Sequence, residues 1–304
     1  MQPGSDPDRL GFALLGDLRV RRAGADVVLG GPRQRSVLAA LLLRPNELVT
    51  VDELVAGLWG ERPSGAPDVT LRTYVWRLRN LLEPVRDTPR VLLSRARGYR
   101  LAVEPDSVDV WRVGRLQERA RKCSAERPAD ARELLTEALA QWRGEPLAGL
   151  PGSLMHRERE RLSQVRLSLR EERLALDVAL DGPSGHLPEL EALAADHPFR
   201  ERLHGLLIRA LQRQGRTSEA RTVYEALRLR LVEHLGIEPG PELSELCREL
   251  DADGPTGPSI ASSPSRPGQL DQLPPPLTQF TGRQGHIARI GQALTVRTGP
   301  GLGL

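Results

Sequence analysis

The order of predicted elements in the first hundred residues most narrows the folds that this chain of 304 residues can adopt. Short, partly alternating apolar runs broken by glycine fill residues 11–30 and predict an early β-meander. Residues 33–43 (RQRSVLAALLL) predict a helix that ends before Pro45. Two more helices and a basic hairpin follow, so this part of the chain mixes strands and helices.

The second helix has a clear start signal. Thr50 is a favoured N-cap residue, and Glu53 follows it at the spacing of a capping box. Leu54, Leu58 and Trp59 share one side of this helix, which is predicted to be its buried face.

The third helix, TLRTYVWRLRNLL at residues 70–82, separates apolar from basic residues. Leu71, Val75, Leu78 and Leu82 fall on one side at helical spacing and predict a face that packs on a core. The opposite side carries three arginines and a tryptophan but no acid. Asp68, just before this stretch, is expected to cap the helix.

Positive charge is concentrated around this helix and the segment after it. Residues 69–100 contain eight arginines against Glu83 and Asp87, a local net charge of +6 in a chain whose total is +3. Because 42 of the 43 basic residues are arginine, arginine abundance also fits a GC-rich genome and is weak evidence in itself. The clustering is better evidence, since phosphate-binding surfaces concentrate positive charge.

Residues 90–103 (RVLLSRARGYRLAV) predict a β-hairpin with Arg95 and Arg97 at its tip. Strands, three helices and a hairpin in this order are the layout of a winged helix-turn-helix, whose third helix enters the major groove of DNA. Hairpin arginines suit flanking phosphates or the minor groove. The predicted DNA-binding residues are Arg72, Thr73, Trp76, Arg77, Arg79, Asn80, Arg95 and Arg97.

Two alternatives remain open for the third helix. Its charged face could be an ordinary solvated surface with no ligand. The Trp76 indole could lie against DNA, or it could fold over the second helix as part of the core.

Beyond residue 104 the pattern becomes almost entirely helical. Apolar residues recur with the spacing i, i+4, i+7 in two segments, at Ala131, Leu135 and Ala138 and at Ala220, Tyr224 and Leu227. Gly215 and Arg216 predict a tight turn between helices, and the whole region resembles tetratricopeptide-type helical repeats. Residues 153–181 predict one long helix whose charges pair along its solvated face.

The C-terminal segments differ again in composition. Residues 253–276 are rich in Pro, Gly and Ser and predict a linker. Residues 277–304 read as a remnant or the beginning of a nucleotide-binding module, because TGPGLGL resembles the first residues of a phosphate-binding loop. The lysine that such a loop requires does not follow, so no nucleotide cofactor is expected.

Other function classes find no support in the sequence. The longest apolar run, residues 37–43, is too short to cross a membrane, and the N-terminus lacks a secretory signal. Cys123 and Cys247 are distant and predict reduced thiols in a cytoplasmic protein. The histidines form no metal motif and the glutamates of the long helix read as charge pairs, so we expect no catalytic residues, no metal and no enzyme activity.

The chain resembles the Streptomyces antibiotic regulatory protein (SARP) family over about residues 10–252. The likeness rests on QRSVLAALLLRPNELVTVDELVAGLWGERP and LRTYVWRLRNLLE…GYRL, together with the long stretch that ends in GIEPGPELSELCREL. FTGR followed by a Gly-rich stretch resembles the start of the nucleotide-binding module of large, AfsR-like members, which this chain is expected to lack beyond its first residues.

The resemblance implies an OmpR-type winged-helix DNA-binding domain at residues 10–104 and an all-helical bacterial transcriptional activation domain at residues 105–252. It places the recognition helix at Asp68–Glu83. It implies an activator, found in the cytoplasm at the nucleoid, that binds direct repeats near the −35 region of antibiotic-pathway promoters. Its partners would be double-stranded DNA, a second protomer side by side and RNA polymerase holoenzyme. A helical-repeat scaffold whose winged helix binds protein is the alternative.

Overall fold

The computed structural model describes residues 10–60, 65–83, 89–180 and 185–252. The strands are β1 (Leu10–Ala13), β2 (Arg19–Arg22), β3 (Ala25–Asp26), β4 (Val49–Thr50), β5 (Leu92–Arg95) and β6 (Gly98–Leu101). The helices are α1 (Pro32–Leu42), α2 (Val51–Trp59), α3 (Pro67–Leu82), α4 (Asp109–Cys123), α5 (Pro128–Leu139), α6 (Ser153–Leu180), α7 (Leu187–Asp196), α8 (Glu201–Arg213), α9 (Thr217–Leu235) and α10 (Pro241–Ala252). The predicted linker at 253–276 and the module at 277–304 lie outside the described residues.

The strands form two small antiparallel sheets, one containing the predicted meander and the other the predicted hairpin together with β4, a strand that the sequence analysis did not predict. β1, β2 and β3 make the N-terminal meander, in which Phe12 lies opposite Val20. In the second sheet β6 lies between β4 and β5, so the hairpin β5–β6 is joined to the strand that precedes α2.

The start of α2 confirms the predicted capping box. The Thr50 hydroxyl accepts a hydrogen bond from the backbone N–H of Glu53 (3.2 Å), and the Glu53 carboxylate accepts one from the backbone N–H of Thr50 (2.8 Å). Leu54 and Leu58 are buried, but Trp59 is only half-buried, and its indole stacks on the Tyr74 ring with 6.3 Å between the ring centroids. The predicted buried face is therefore right for the two leucines and only partly right for Trp59.

The prediction that Asp68 caps α3 is wrong. The N-cap residue is Ala66, Pro67 is the first helical residue, and no side chain caps the helix. Proline is favoured at this position because its ring fixes a helical φ and its missing N–H would have no partner there. Asp68 lies in the first turn, where its charge complements the positive end of the helix dipole.

One hydrophobic core joins the winged helix to the helices that follow it. Its buried side chains come from β1 through α5 and from the first half of α6. Phe12 of β1 pairs with Val108 in an isolated parallel bridge, and both side chains are buried. The described residues accordingly belong to one compact unit.

Asp109, at the start of α4, forms hydrogen bonds that join the segments around this shared core. Its carboxylate accepts hydrogen bonds from the backbone N–H groups of Leu14 (2.9 Å) and Leu15 (3.1 Å) and from the Arg143 guanidinium (2.8 Å). Burial raises the pKa of the Asp109 carboxyl, and these donors oppose the rise by stabilising its charged form. The meander, α4 and the connection between α5 and α6 are thereby fixed to one another.

A second core fills the C-terminal part of the described chain. It is built from the end of α6 and from α7, α8, α9 and α10. With 28 residues, or roughly 42 Å at 1.5 Å per residue, α6 is long enough to contribute to both cores. Gly215, with φ +72°, makes the predicted tight turn between α8 and α9.

The charges of α6 pair, as predicted, but several of their partners lie on other helices. Glu171 is 1% exposed and binds Arg200 at the start of α8, while Glu172 binds Arg121 of α4. Arg173 binds Glu189 of α7. Helix periodicity predicts pairs within one helix and cannot reveal these contacts between helices.

Candidate nucleic-acid interface

The inner face of α3 is the predicted one. Leu71, Val75, Leu78 and Leu82 are at most 2% exposed and belong to the first core. They hold the helix against α1, α2 and β5. The opposite side of α3 consequently faces outward along its length.

The outward face of α3 presents most of the predicted DNA-binding residues together. Arg72, Thr73, Trp76 and Arg77 are all exposed. Among the described residues, Arg72 and Arg77 form neither a hydrogen bond nor an ion pair with another side chain. Their guanidinium groups are available to guanine edges or to phosphates.

The structure excludes one of the two positions considered for Trp76. Its side chain is 63% exposed and does not fold over α2. The contact between α2 and α3 is made instead by Trp59 and Tyr74, with the Arg33 guanidinium 5.7 Å from the Trp59 ring centroid.

Arg79 and Asn80 are half-buried, unlike the other predicted residues of α3. Arg79 donates from Nε to the carbonyl oxygen of Leu92 (2.9 Å) and from Nη2 to the Ser94 hydroxyl (2.8 Å). Both acceptors lie on β5, so Arg79 joins α3 to the hairpin and has fewer N–H groups left for a ligand.

Glu83 and Arg22 fix the C-terminal end of α3, and sequence reasoning missed both. The Glu83 carboxylate, 4% exposed, accepts hydrogen bonds from the backbone N–H groups of Arg90 (2.7 Å) and Leu92 (2.8 Å). Arg22 of β2 donates to the carbonyl oxygen of Leu82 (2.8 Å). One sequence signal pointed to Glu83: it is an acid at the C-terminal end of a helix, where the helix dipole disfavours negative charge.

The hairpin tip is the second exposed basic element. Arg95 and Arg97 are exposed: Arg95 is the last residue of β5, and Arg97 lies in the two-residue turn that leads to β6. Directly after this turn, a Cβ added to Gly98 would lie 2.2 Å from the carbonyl oxygen of Val49. Only glycine permits this approach of β6 to β4, which sets the position of the hairpin beside α3.

The histidines and acids outside this surface form no metal cluster among the described residues. No group of three or more His, Cys, Asp and Glu side chains among them could hold a metal ion. His197 caps the end of α7, whereas His204 is buried on α8, where burial lowers its pKa. None of the described helices is both long and apolar enough to cross a membrane.

Two family profiles match the chain, one on each side of residue 104. The profile described as "Transcriptional regulatory protein, C terminal" matches residues 25–101, which include α3 and the hairpin. The profile described as "Bacterial transcriptional activator domain" matches residues 108–251, which include α4 to α10.

Individual relatives are named as regulators. The regulatory protein AfsR of Streptomyces coelicolor is 39% identical over 296 residues, which cover 95% of this chain and 29% of AfsR. The regulatory protein DnrI of Streptomyces peucetius is 33% identical over 267 residues, which cover 82% of this chain and 97% of DnrI. The chain thus spans less than a third of AfsR but nearly the whole length of DnrI.

A solved structure has the same fold. The structure described as Mycobacterium tuberculosis EmbR in complex with a low-affinity phosphopeptide superposes with a TM-score of 0.76 at 33% sequence identity. The superposition covers 82% of this chain and 66% of the EmbR chain.

Proposed function

The chain belongs to the SARP family of transcriptional regulators, and from that premise we propose that it activates transcription by binding promoter DNA through α3 and the β5–β6 hairpin. In this proposal α3 lies in the major groove and reads base edges. The hairpin tip contacts the phosphates next to that groove.

The observation that carries this proposal is the outward face of α3. It exposes Arg72 and Arg77 without an acidic partner in the described structure, and the exposed Arg95 and Arg97 lie on the hairpin that Arg79 joins to α3. Charges on a solvated helix face are normally paired, as Arg161 and Glu158 are on α6. Exposed basic groups on two adjoining elements, with no acidic partner among the described residues, favour a polyanion as the ligand.

The predicted site residues take different roles in this proposal. Arg72, Thr73, Trp76 and Arg77 face the bases and their nearest phosphates. Arg79 positions the hairpin relative to α3, because its hydrogen bonds to β5 join the two elements. Asn80, half-buried, lies at the edge of the contact, and the tip arginines grip flanking phosphates.

The family resemblance supports the wider assignment. We propose that protomers bind side by side on direct repeats near the −35 region of antibiotic-pathway promoters and recruit RNA polymerase holoenzyme. The protein would act in the cytoplasm at the nucleoid and would catalyse no reaction. AfsR and DnrI are both named regulatory proteins, in agreement with this role.

We also propose residues 10–104 as the DNA-binding domain and residues 105–252 as the activation domain. The first core crosses this boundary, and Asp109 binds Leu14 and Leu15 across it. DNA binding by α3 would therefore orient α4 and α5 directly, since they share a core with the winged helix.

Selection of bound duplexes from a random-sequence library, followed by footprinting of the enriched sequence in genomic DNA, tests the proposal. We expect one enriched motif that occurs as a direct repeat and whose affinity falls steeply with salt, because lysine and arginine contacts to phosphate release counterions. Failure to enrich any sequence at low salt would overturn it and favour the protein-binding scaffold.

A further inference from the structure

Over the first three turns of α3, the part of the helix that points most directly away from the core is apolar. Val69 is 60% exposed and Trp76 is 63% exposed, and Thr73 between them is also exposed. At 3.6 residues per turn these three positions lie within about 60° of one another and roughly opposite the buried leucines. We call Val69, Thr73 and Trp76 the outer ridge.

Thr73 contributes a methyl group to the outer ridge. Its hydroxyl donates a hydrogen bond to the carbonyl oxygen of Val69, at 3.0 Å within the same helix. With the hydroxyl turned back to the helix backbone, the γ-methyl group is the part of the side chain left for an outside partner. The ridge is thus a continuous apolar strip made of a valine, a methyl group and an indole.

Arginines border the outer ridge on both sides. On a helical projection Arg72 and Arg77 each lie about 70° from the middle of the strip, on opposite sides of it. An apolar strip one side chain wide between two cations suits the major groove, where phosphates line both edges and base edges form the floor. Exposed apolar side chains in such a setting favour a ligand that is apolar at its centre and anionic at its borders.

We infer that the outer ridge recognises thymine through the C5-methyl group of the base, an inference that rests on the proposed DNA-binding function. Thymine is the only unmodified DNA base with a methyl group in the major groove, and apolar side chains contact it. Arg72 and Arg77 read guanine or hold phosphate, while Val69, Thr73 and Trp76 distinguish thymine from the other bases. The recognised half-site therefore contains thymines at the positions that face the strip.

Uracil substitution tests this inference without changing the protein. The probe is the duplex enriched from the random library, resynthesised with deoxyuridine in place of each thymidine in turn. Uracil pairs as thymine does but lacks the methyl group. We expect about threefold to fourfold weaker binding at two or three positions, the effect of leaving one methyl-sized apolar contact unburied, and no change elsewhere.

Matched variants assign the effect to individual side chains. Thr73→Ser keeps the hydroxyl and removes the methyl group, whereas Thr73→Val keeps the methyl group. We expect Thr73→Ser to abolish the thymine–uracil difference at one position and Thr73→Val to preserve it. Val69→Ala should abolish it at a neighbouring position, while Val28→Ala, at a residue 86% exposed outside α3, should change nothing.

The outcomes separate this inference from the proposed function. If every uracil duplex binds as tightly as its thymine parent, the ridge does not read methyl groups, and sequence-specific DNA binding still stands. If Thr73→Ser retains the thymine–uracil difference at all positions, the assignment to Thr73 is wrong. If no duplex is enriched from the library, both proposals fall.

Discussion

The helices α3 and α6 are both rich in arginine, yet their guanidinium groups have different partners. Arg72 and Arg77 of α3 form no ion pair in the described structure. In α6, Arg161 binds Glu158 at 2.7 Å, and Arg159 donates to the carbonyl oxygens of Leu147 and Leu150. The acids of α6 extend the same pattern, because Glu171 and Glu172 bind arginines of neighbouring helices.

The difference shows that arginine content by itself says little about a ligand. Several arginines of α6 bind carboxylates or carbonyl groups, and the contacts of Arg159 and Arg173 join α6 to other segments. Those on the outer side of α3 make no such contact and leave the charge of the surface uncompensated. Removing an arginine should therefore affect stability in one region and DNA affinity in the other.

Among the variants that affect stability, Arg200→Ala should cause the largest loss. The variant leaves the Glu171 carboxylate, 1% exposed, without its bidentate partner at 2.5 and 3.2 Å. We expect the free energy of unfolding to fall by about 3 kcal/mol, because an unpaired buried charge is costly. Urea unfolding measures it. The double variant Glu171→Leu/Arg200→Leu should recover much of the loss, and a decrease under 0.5 kcal/mol in Arg200→Ala would contradict the interpretation.

The double variant Arg72→Ala/Arg77→Ala should lower DNA affinity and not stability. We expect at least tenfold weaker binding to the selected duplex, since each arginine contact contributes on the order of 1–3 kcal/mol. If both contact phosphate, the slope of log affinity against log salt should also fall by about two. Fluorescence anisotropy at several salt concentrations measures both quantities.

Arg157→Ala/Arg161→Ala is the matched control for that variant, because it removes two arginines exposed on α6. DNA affinity should stay within twofold of the parent chain. Equal losses of affinity in the two double variants would mean that total charge, and not the face of α3, determines binding.

Glu83→Gln should affect both stability and DNA binding, each to an intermediate degree. Its side-chain amide cannot accept all the backbone hydrogen bonds from Arg90, Val91 and Leu92 that the carboxylate accepts. We expect the free energy of unfolding to fall by about 1–2 kcal/mol and DNA binding to weaken severalfold. Faster hydrogen exchange at the amides of Val91 and Leu92 is the diagnostic measurement, and unchanged exchange would show that Glu83 does not hold this segment.

Arg161→Ala as a single variant should give the smallest effect. The Arg161 side chain is 53% exposed in its ion pair with Glu158. Exposed ion pairs contribute about 0.2–1 kcal/mol to the free energy of unfolding. Urea unfolding should show a change of that size or less, with DNA affinity unaltered. A loss above 2 kcal/mol would place Arg161 among the structural groups of the core.

Much of the fold could be predicted because its signals are local. The spacing of Leu71, Val75, Leu78 and Leu82 predicts which face of α3 is buried, and Thr50 with Glu53 predicts where α2 begins. These patterns depend on backbone geometry within one or two helical turns. The start of α3 was misassigned at Asp68 because Pro67 and Asp68 are both favoured near a helix start.

The site was predicted less completely, because its supporting contacts join distant segments. Arg79 looked like one more arginine of the outward face, yet it binds Leu92 and Ser94 of β5. Arg22 reaches Leu82, sixty positions away along the chain. A single sequence shows which residues can form hydrogen bonds but not which distant partner will lie within reach.

The sequence by itself determined the elements of the winged helix, the helical character of the second half, and the concentration of arginine around α3. The tertiary structure decided which arginines have partners, that Trp76 is exposed and that the first core continues into α6. The physical reason is the distance along the chain over which each interaction acts. Helix periodicity, capping and turn chemistry act between residues a few positions apart, whereas burial and ion pairing depend on packing between segments that the chain brings together only when it folds.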